Sequence, residues 1–292
     1  MRRRPGPAPE AEGACRFAAG FAAAAEAAPA IFATTCDPMR RAAERGPEGP
    51  GRRFLFHVPA TWQTPGAHAL YRDELRRLGR FLERLGGTAP ASDALRNQME
   101  RHEAARAQLL AARERLDSRA HAEAVALYHA TGAAPAEIPA RSAVARGLPL
   151  MLLGCPLRTD DLHLLDLLDR SGGWVAADAT EYGEREWPRK FDRRRMKEDA
   201  LGELADAYFG SIPAIFRRPN SGFFGWLAAA RERIPVRGIV FVAHPWCDLW
   251  RAELPRIRET CGLPVLTLPL AGEGNADGAW TTRLQAFVEM FA

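Results

Sequence analysis

Several short motifs that would assign a chemistry directly are missing from this chain of 292 residues. There is no CxxC pair, which argues against a zinc ribbon or a thioredoxin-type redox site. HExxH is absent, and so are the GxGxxG and GxxxxGK loops that bind nucleotide phosphates. The chain also lacks the GxSxG turn that holds a nucleophilic serine. Zinc proteases, these nucleotide-binding folds and serine hydrolases are therefore not indicated.

Long apolar runs and a basic face are missing too. No window approaches the ~20 uncharged apolar residues of a membrane span. The N-terminal arginines precede an alanine-rich stretch, but Arg16 and Glu26 interrupt it, and alanine is too weakly apolar for a secretory core. The formal net charge is only +4, and acidic residues interrupt nearly every basic run. We therefore predict a cytoplasmic protein that binds neither nucleic acid nor membrane.

What is present is a regular alternation of strand-like and helix-like segments. Two short strands precede a region of three long helices, for which Ser92 is a predicted N-cap. Four further apolar runs are each followed by a helix, the first of which is predicted to be capped by Thr159. This alternation predicts an α/β fold with parallel sheets covered by helices. The predicted strands lie at 30–37, 53–59, 148–156, 174–183, 237–247 and 263–272.

The composition along the chain predicts three segments. Residues 1–14 are rich in Pro, Gly, Ala and Glu and are predicted to be a disordered leader. Residues 15–140 are predicted to form an α/β and helical domain. Residues 141–292 are predicted to form a C-terminal, doubly wound α/β domain.

The five cysteines are the strongest chemical signal. Their odd number and wide spacing do not suggest a disulfide framework. Cys36, Cys155 and Cys247 each follow a predicted strand, at the edge where doubly wound sheets bind ligands. Cys15 lies just before the first strand, whereas Cys261 ends a helix. A small buried hydrophobe is the alternative for each, and fits Cys261 best; the others indicate thiol chemistry or metal binding.

One histidine and three aromatic residues lie near the last of these strand ends. His244 is a candidate catalytic residue, able to hydrogen-bond a ligand or act as an acid, or else to satisfy a loop carbonyl. Trp246, Trp250 and Phe241 are interpreted as core or rim residues rather than as part of a cofactor site.

Taken in order, several segments resemble the 2-hydroxyacyl-CoA dehydratase D-component family. Its superfamily includes the 2-hydroxyglutaryl-CoA dehydratases and the benzoyl-CoA reductases. The similarity runs over about residues 15–292 and includes three cysteine segments, a Gly-x-Pro strand end, and Gly-Gly and Gly-x-Arg landmarks. The segments that carry it include CRFAAGF, AIFATTCDPMRRAAE, LPLMLLGCPLRTDDLHLLDLLDRSGGWVAADATEYGER and IVFVAHPWCDLWRAELPRIRETCG.

The resemblance implies a particular fold and cofactor. The fold is two Rossmann- or flavodoxin-like parallel-sheet lobes with intervening long helices. The cofactor is a [4Fe–4S] cluster bound by Cys15, Cys36 and Cys247, with Cys155 outside the ligand set. Three thiolates leave one iron open, and an open iron can act as a Lewis acid on a substrate oxygen. Asp37 and Asp248, which follow two of the cysteines, are predicted to cap the next helices.

The resemblance also implies a reaction and partners. An (R)-2-hydroxyacyl-CoA would lose water through a ketyl radical to give an enoyl-CoA, after one-electron activation by an ATP-dependent iron–sulfur activator protein. The enzyme would be a lyase built as a heterodimer with a homologous second subunit. A benzoyl-CoA reductase-type subunit and a non-catalytic, partner-binding paralogue are the alternatives. Family members usually carry a further β–α unit before the first cysteine, where this chain has about fourteen residues of low complexity, so the N-terminal lobe is predicted to be truncated.

Overall fold

The computed structural model describes residues 15–46, 51–138, 147–270 and 276–291. The predicted leader at 1–14 and the predicted domain boundary near residue 140 lie outside these residues. Within the described ranges the chain forms parallel sheets and many helices, which confirms the predicted α/β fold class. No helix of the described part has both the length and the apolar character needed to cross a bilayer.

The N-terminal lobe, as described from residue 15 to residue 56, is built around a two-stranded parallel sheet. The strands pair in register from Ala30 with Arg53 to Ala33 with Phe56. On one face Phe32 is buried against small residues of the first two helices, and on the other face Phe54 packs against Phe81. The elements are α1 (Arg16–Ala25), β1 (Ala30–Ala33), α2 (Asp37–Arg45) and β2 (Arg53–Phe56).

Three helices follow, and their caps differ in part from the prediction. The side chains of Thr64 and Asp117 accept hydrogen bonds from the first-turn backbone and cap the first and third helices. The predicted N-cap Ser92 is wrong by one position, because Ala91 precedes the helix and Ser92 is its first residue. The helices are α3 (Pro65–Arg84), α4 (Ser92–Ala112) and α5 (Ser118–Thr131).

The C-terminal lobe contains a four-stranded parallel sheet in the order β4-β3-β5-β6. Phe241 contacts Trp250 on one face of the central strand, whereas Gly238, which faces the opposite way, lies against Phe287. Helices therefore cover both faces, and the central strands are continuous apolar runs, as expected for such a sheet. The strands are β3 (Leu148–Gly154), β4 (Gly173–Thr180), β5 (Gly238–Ala243) and β6 (Val265–Pro269).

The helices of this lobe connect and cover the strands. They are α6 (His163–Arg170), α7 (Arg193–Glu198), α8 (Ala200–Ser211), α9 (Ser221–Arg233), α10 (Asp248–Thr260) and α11 (Ala276–Glu289). The predicted capping of α6 by Thr159 is wrong, because Thr159 begins a separate 3-10 turn at Thr159–Asp161. The Asp161 carboxylate holds that turn by accepting a hydrogen bond from the Arg158 amide at 3.1 Å.

Candidate functional site

The three predicted cluster ligands share one local geometry. Cys15, Cys36 and Cys247 are the residues immediately before α1, α2 and α10, and each has the non-helical backbone of an N-cap. The predicted capping by Asp37 and Asp248 is therefore wrong: both are the first residues of their helices, because the cysteine itself takes the cap position. A thiolate at an N-cap faces the positive end of the helix dipole, which favours its negative charge.

These three thiols lie close enough to influence one another's ionisation. Burial raises the pKa of Cys36 to about 11, and the negative charges of Glu181, Cys15 and Cys247 add to the shift. Burial likewise raises the pKa of Cys15, with contributions from Cys247 and Glu181. The structure thus brings the three predicted ligands, which come from both lobes, into one electrostatic environment.

Cys155 belongs to the same group, although the sequence analysis left it outside the ligand set. It follows β3 directly and is 1% exposed. Its thiol hydrogen-bonds the sulfur of Cys247; this contact, with burial, raises the pKa of Cys155, and the same contact lowers the pKa of Cys247. The strand can pass here only because residue 154 is glycine, with φ of 134° and no room for a Cβ beside the Val242 carbonyl.

Glu181 is the functional candidate that sequence reasoning missed. It follows β4 directly, one residue beyond the registered pair Gly154 and Thr180, so it leaves the sheet beside Cys155. Its Oε1 accepts a hydrogen bond of 2.8 Å from Nε1 of the buried Trp250. Glu181 is exposed, yet protein atoms surround its carboxyl group closely enough for desolvation to raise its pKa. The signal that could have found it is the strand-end rule already applied to the cysteines.

Glu181 is also the charge that acts on every thiol of the group. Its carboxylate contributes to raising the pKa of Cys15, Cys36 and Cys155, and it opposes the lowering at Cys247. We call these four cysteines and Glu181 the thiol–carboxylate cluster. The fifth cysteine, Cys261, is buried at the end of α10 and donates to the Leu263 carbonyl at 3.3 Å, as the structural interpretation expected.

His244 connects the loops around this cluster. It is 1% exposed, and its ring nitrogens contact the carbonyls of Pro156 at 3.2 Å and Leu270 at 3.4 Å. Burial lowers the pKa of its imidazole. This geometry matches the alternative in which His244 satisfies loop carbonyls, so it positions the ends of β3, β5 and β6; its role as a catalytic acid stays a prediction. Phe241 and Trp250 lie in the core, and Trp246 is on the rim, 51% exposed.

An ion-pair network fixes the N-terminal lobe beside the cluster. Arg16, the residue after Cys15, contacts Asp160 at 3.2 Å and Asp161 at 3.5 Å, and donates to the Leu270 carbonyl. In return, Arg158 donates to the Arg16 carbonyl at 3.0 Å. The start of α1 is therefore attached to the carboxyl edge of the C-terminal sheet from two sides.

A cleft of about 790 Å³ opens next to the cluster. Its walls include Phe17, Leu157 and Tyr182, each within two residues of a cluster member, and the polar groups of Arg158 and Thr180. Alanines of α5 form the opposite wall. The volume is in the range of sites that bind small molecules or cofactors.

The spacing of the donors bears on which metal group they fit. Within the described ranges, no three His, Cys, Asp or Glu side chains are close enough to hold a single metal ion. In a [4Fe–4S] cluster each cysteine binds a different iron, so the ligand sulfurs lie about 6–7 Å apart. Soft thiol donors that lie near enough to raise one another's pKa are the ligand type that such a multi-iron group requires.

Comparison with known proteins agrees with the resemblance found in the sequence. A family model described as 2-hydroxyglutaryl-CoA dehydratase, D-component, matches residues 9–291. This range includes every residue of the thiol–carboxylate cluster, and it confirms the predicted family. A comparison with curated proteins gave no match.

Proposed function

Because the chain belongs to the 2-hydroxyglutaryl-CoA dehydratase D-component family, we propose that it is the cluster-bearing subunit of an (R)-2-hydroxyacyl-CoA dehydratase. The reaction is the removal of water from a 2-hydroxyacyl thioester to give an enoyl-CoA, a lyase reaction. The proposed partners are a homologous second subunit and an ATP-dependent iron–sulfur activator protein. The observation that supports the proposal is that Cys15, Cys36 and Cys247 each stand at a helix N-cap and act on one another's pKa.

In this proposal the three N-cap cysteines hold a [4Fe–4S] cluster. When bound, such a cluster supplies one-electron redox chemistry and, at an iron without a cysteine ligand, a Lewis acid for a substrate oxygen. The chain prepares for this group electrostatically: amide groups of Phe17, Ala18, Met39 and Trp250 favour the thiolates at the three helix starts. Burial and mutual repulsion oppose that charge and raise the pKa of Cys15 and Cys36, so these side chains would become thiolates when metal cations bind.

The cleft offers a place for the substrate beside the thiols. Its apolar walls of phenylalanine, leucine and alanine suit an acyl chain, whereas the guanidinium of Arg158 offers a hydrogen-bond donor to an oxygen of the thioester. Substrate identity within the 2-hydroxyacyl thioesters would follow from the shape of this cleft.

The first experiment tests the cluster itself. Protein purified without oxygen and reconstituted with iron and sulfide should contain about four irons per chain and absorb broadly in the visible blue. The variants C15S, C36S and C247S should each lose most of this iron. C261S is the matched control and should keep it, since Cys261 lies outside the cluster. Wild-type protein that remains colourless and free of iron would contradict the proposal.

A second experiment separates dehydration from reduction. The reconstituted chain is combined with its second subunit, the activator, ATP and a limiting amount of a one-electron reductant. A dehydratase returns its electron after each turnover, so the enoyl-CoA formed should greatly exceed the electrons supplied. Product that never exceeds the reductant would instead support a benzoyl-CoA reductase-type subunit.

A further inference from the structure

We propose that Glu181 is an exchangeable fourth ligand of the bound cluster: its carboxylate occupies the iron that the three N-cap cysteines leave open, and a substrate oxygen displaces it. The inference rests on the proposed function, because it requires the cluster. It adds an oxygen-donor ligand from this chain to the three thiolates. Its basis is the position of Glu181 in the described structure and the orientation of its carboxyl group.

The position of Glu181 is fixed by the sheet. Strands β4, β3 and β5 are neighbours, and their carboxyl ends carry Glu181, Cys155 and the loop to Cys247. Thr180 is in register with Gly154, and Gly154 with Val242, so the three segments leave the sheet at the same level. Glu181 therefore enters the cluster from the strand beside the cysteine-bearing strands rather than from a distant loop.

The orientation of its carboxyl group is also fixed. Trp250 donates to Oε1 at 2.8 Å, and Trp250 belongs to the first turn of α10, the helix that Cys247 begins. The Trp250 ring is fully buried, lies 5.5 Å from the Phe223 ring, and has the Arg185 guanidinium 5.2 Å from its centre. Among the described residues Oε2 accepts no hydrogen bond, so one carboxylate oxygen is held and the other is available to a ligand.

The charged groups that act on the Glu181 carboxylate are Arg185, which favours its negative charge, and Glu186, which opposes it. A glutamine at this position could accept the same hydrogen bond from Trp250 without adding a negative charge. A carboxylate among thiolates becomes favourable when a cation is bound between them, and carboxylate oxygen is an established ligand type for iron.

The test compares wild type with Glu181→Gln and Glu181→Ala after anaerobic reconstitution. Ferricyanide takes one electron from a [4Fe–4S]²⁺ cluster, which releases Fe²⁺ and leaves [3Fe–4S]⁺, and the EPR signal of the three-iron form gives the rate. All three proteins should begin with about four irons per chain. Without the carboxylate, the exposed iron should leave at least several-fold faster in both variants. Glu259→Gln, on the exposed part of α10, is the control and should match wild type.

Two failures are distinguishable. If iron-loaded wild type, E181Q and E181A lost the fourth iron at equal rates, the ligand role of Glu181 would be overturned. A slower loss in the variants would overturn it too. Either result would leave the proposed function standing. Wild-type protein that binds no iron would overturn both. The iron-free proteins give a second readout: E181Q should have a melting temperature at least equal to that of wild type, because glutamine can keep the hydrogen bond from Trp250 without a desolvated charge, whereas a clear decrease would indicate a structural role.

Discussion

In the C-terminal lobe, three adjacent strand ends carry Glu181, Cys155 and the loop to Cys247, whereas in the N-terminal lobe Cys15 and Cys36 begin two helices beside a two-stranded sheet. The first half of the site is fixed by strand register within one sheet. The second half is fixed only where its lobe is attached to the other. The same cluster is thus assembled from a part with a rigid frame and a part that depends on docking.

The buried cores of the two lobes show the same contrast between a rigid part and a part that depends on docking. In the C-terminal lobe β5 is buried along its whole length and β3 is buried from Leu150 onward, and Phe241 and Trp250 are both at 0% exposure. In the N-terminal lobe the buried cluster around α1 and α2 consists of Phe32 and four alanines. Since buried apolar area sets most of the stabilisation, the N-terminal lobe should open more readily than the C-terminal lobe.

The largest expected effect comes from truncating one aromatic residue in each core. F241A should lower the free energy of global unfolding by about 3–5 kcal/mol, because it leaves a cavity in the central sheet. F32A should instead open the N-terminal lobe locally, which exposes the amides of α1 and α2 to hydrogen exchange while β3 and β5 stay protected. Hydrogen-exchange mass spectrometry together with urea unfolding measures both effects.

The conservative variants F241L and F32L serve as controls and should show smaller changes of the same kind. If F32A increased exchange in β3 and β5 as much as in α1 and α2, the two lobes would unfold as one unit. The contrast between a rigid and a docked half of the site would then be wrong.

The sequence was sufficient for the features that depend on local pattern. The continuous apolar run of β3 predicts a strand covered on both faces, and the strand-end rule places Cys36, Cys155 and Cys247 correctly. The rule applies equally to Glu181, but what distinguishes that residue is Trp250, 69 positions away, and no local pattern reveals such a contact. Local pattern also failed at the N-caps of α2 and α10. Aspartate is the commoner N-cap residue, yet in this fold Cys36 and Cys247 take that position.

The second prediction removes the attachment between the lobes. Arg16 is paired with Asp160 and Asp161, and its side chain is 10% exposed. R16A should weaken the free energy of docking between the two lobes by about 2–3 kcal/mol, because it removes charge-assisted hydrogen bonds and leaves the Asp161 carboxylate partly unpaired. In iron-free R16A, iodoacetamide should label Cys15 faster than it does in iron-free wild type. The labelling rate of Cys155 should increase less.

R16K is the matched control, because it keeps the charge but loses the forked geometry, and it should fall between wild type and R16A. Equal labelling rates at Cys15 in wild type and R16A would show that the ion pairs do not hold the N-terminal lobe in place.

The third prediction concerns how acidic pH changes the free energy of unfolding through His121, which lies in the helices that connect the two lobes in sequence. Burial, with the charge of Arg113, lowers the pKa of His121 on α5 to about 3, and its Nε2 contacts the Leu109 carbonyl at 3.1 Å. The unfolded chain protonates this imidazole below about pH 6.5, whereas the folded chain keeps it neutral. The free energy of unfolding should therefore fall by up to about 1.4 kcal/mol per pH unit as pH drops from about 6.5 towards 3.

Urea unfolding at several pH values measures this slope, and H121Q isolates it. The variant should be less stable than wild type at neutral pH but should lack the His121 contribution, so the difference between the two should shrink on acidification. A constant difference across this range would mean that His121 becomes protonated within the folded protein.

The smallest expected effect lies within the rigid half of the site. The side chains of Cys155 and Cys247 are in hydrogen-bond contact, and Cys155 would be the donor once Cys247 binds iron as a thiolate. Hydrogen bonds to ligand sulfurs raise the reduction potential of iron–sulfur clusters. C155A should therefore leave the iron content unchanged but shift the midpoint potential of the reconstituted cluster to a more negative value. C155S keeps a donor and should remain near wild type, and C261A, which removes a thiol that donates to the Leu263 carbonyl, should not shift at all. A loss of iron in C155A would instead assign Cys155 to direct ligation, so that the C-terminal lobe would supply two thiolates rather than one.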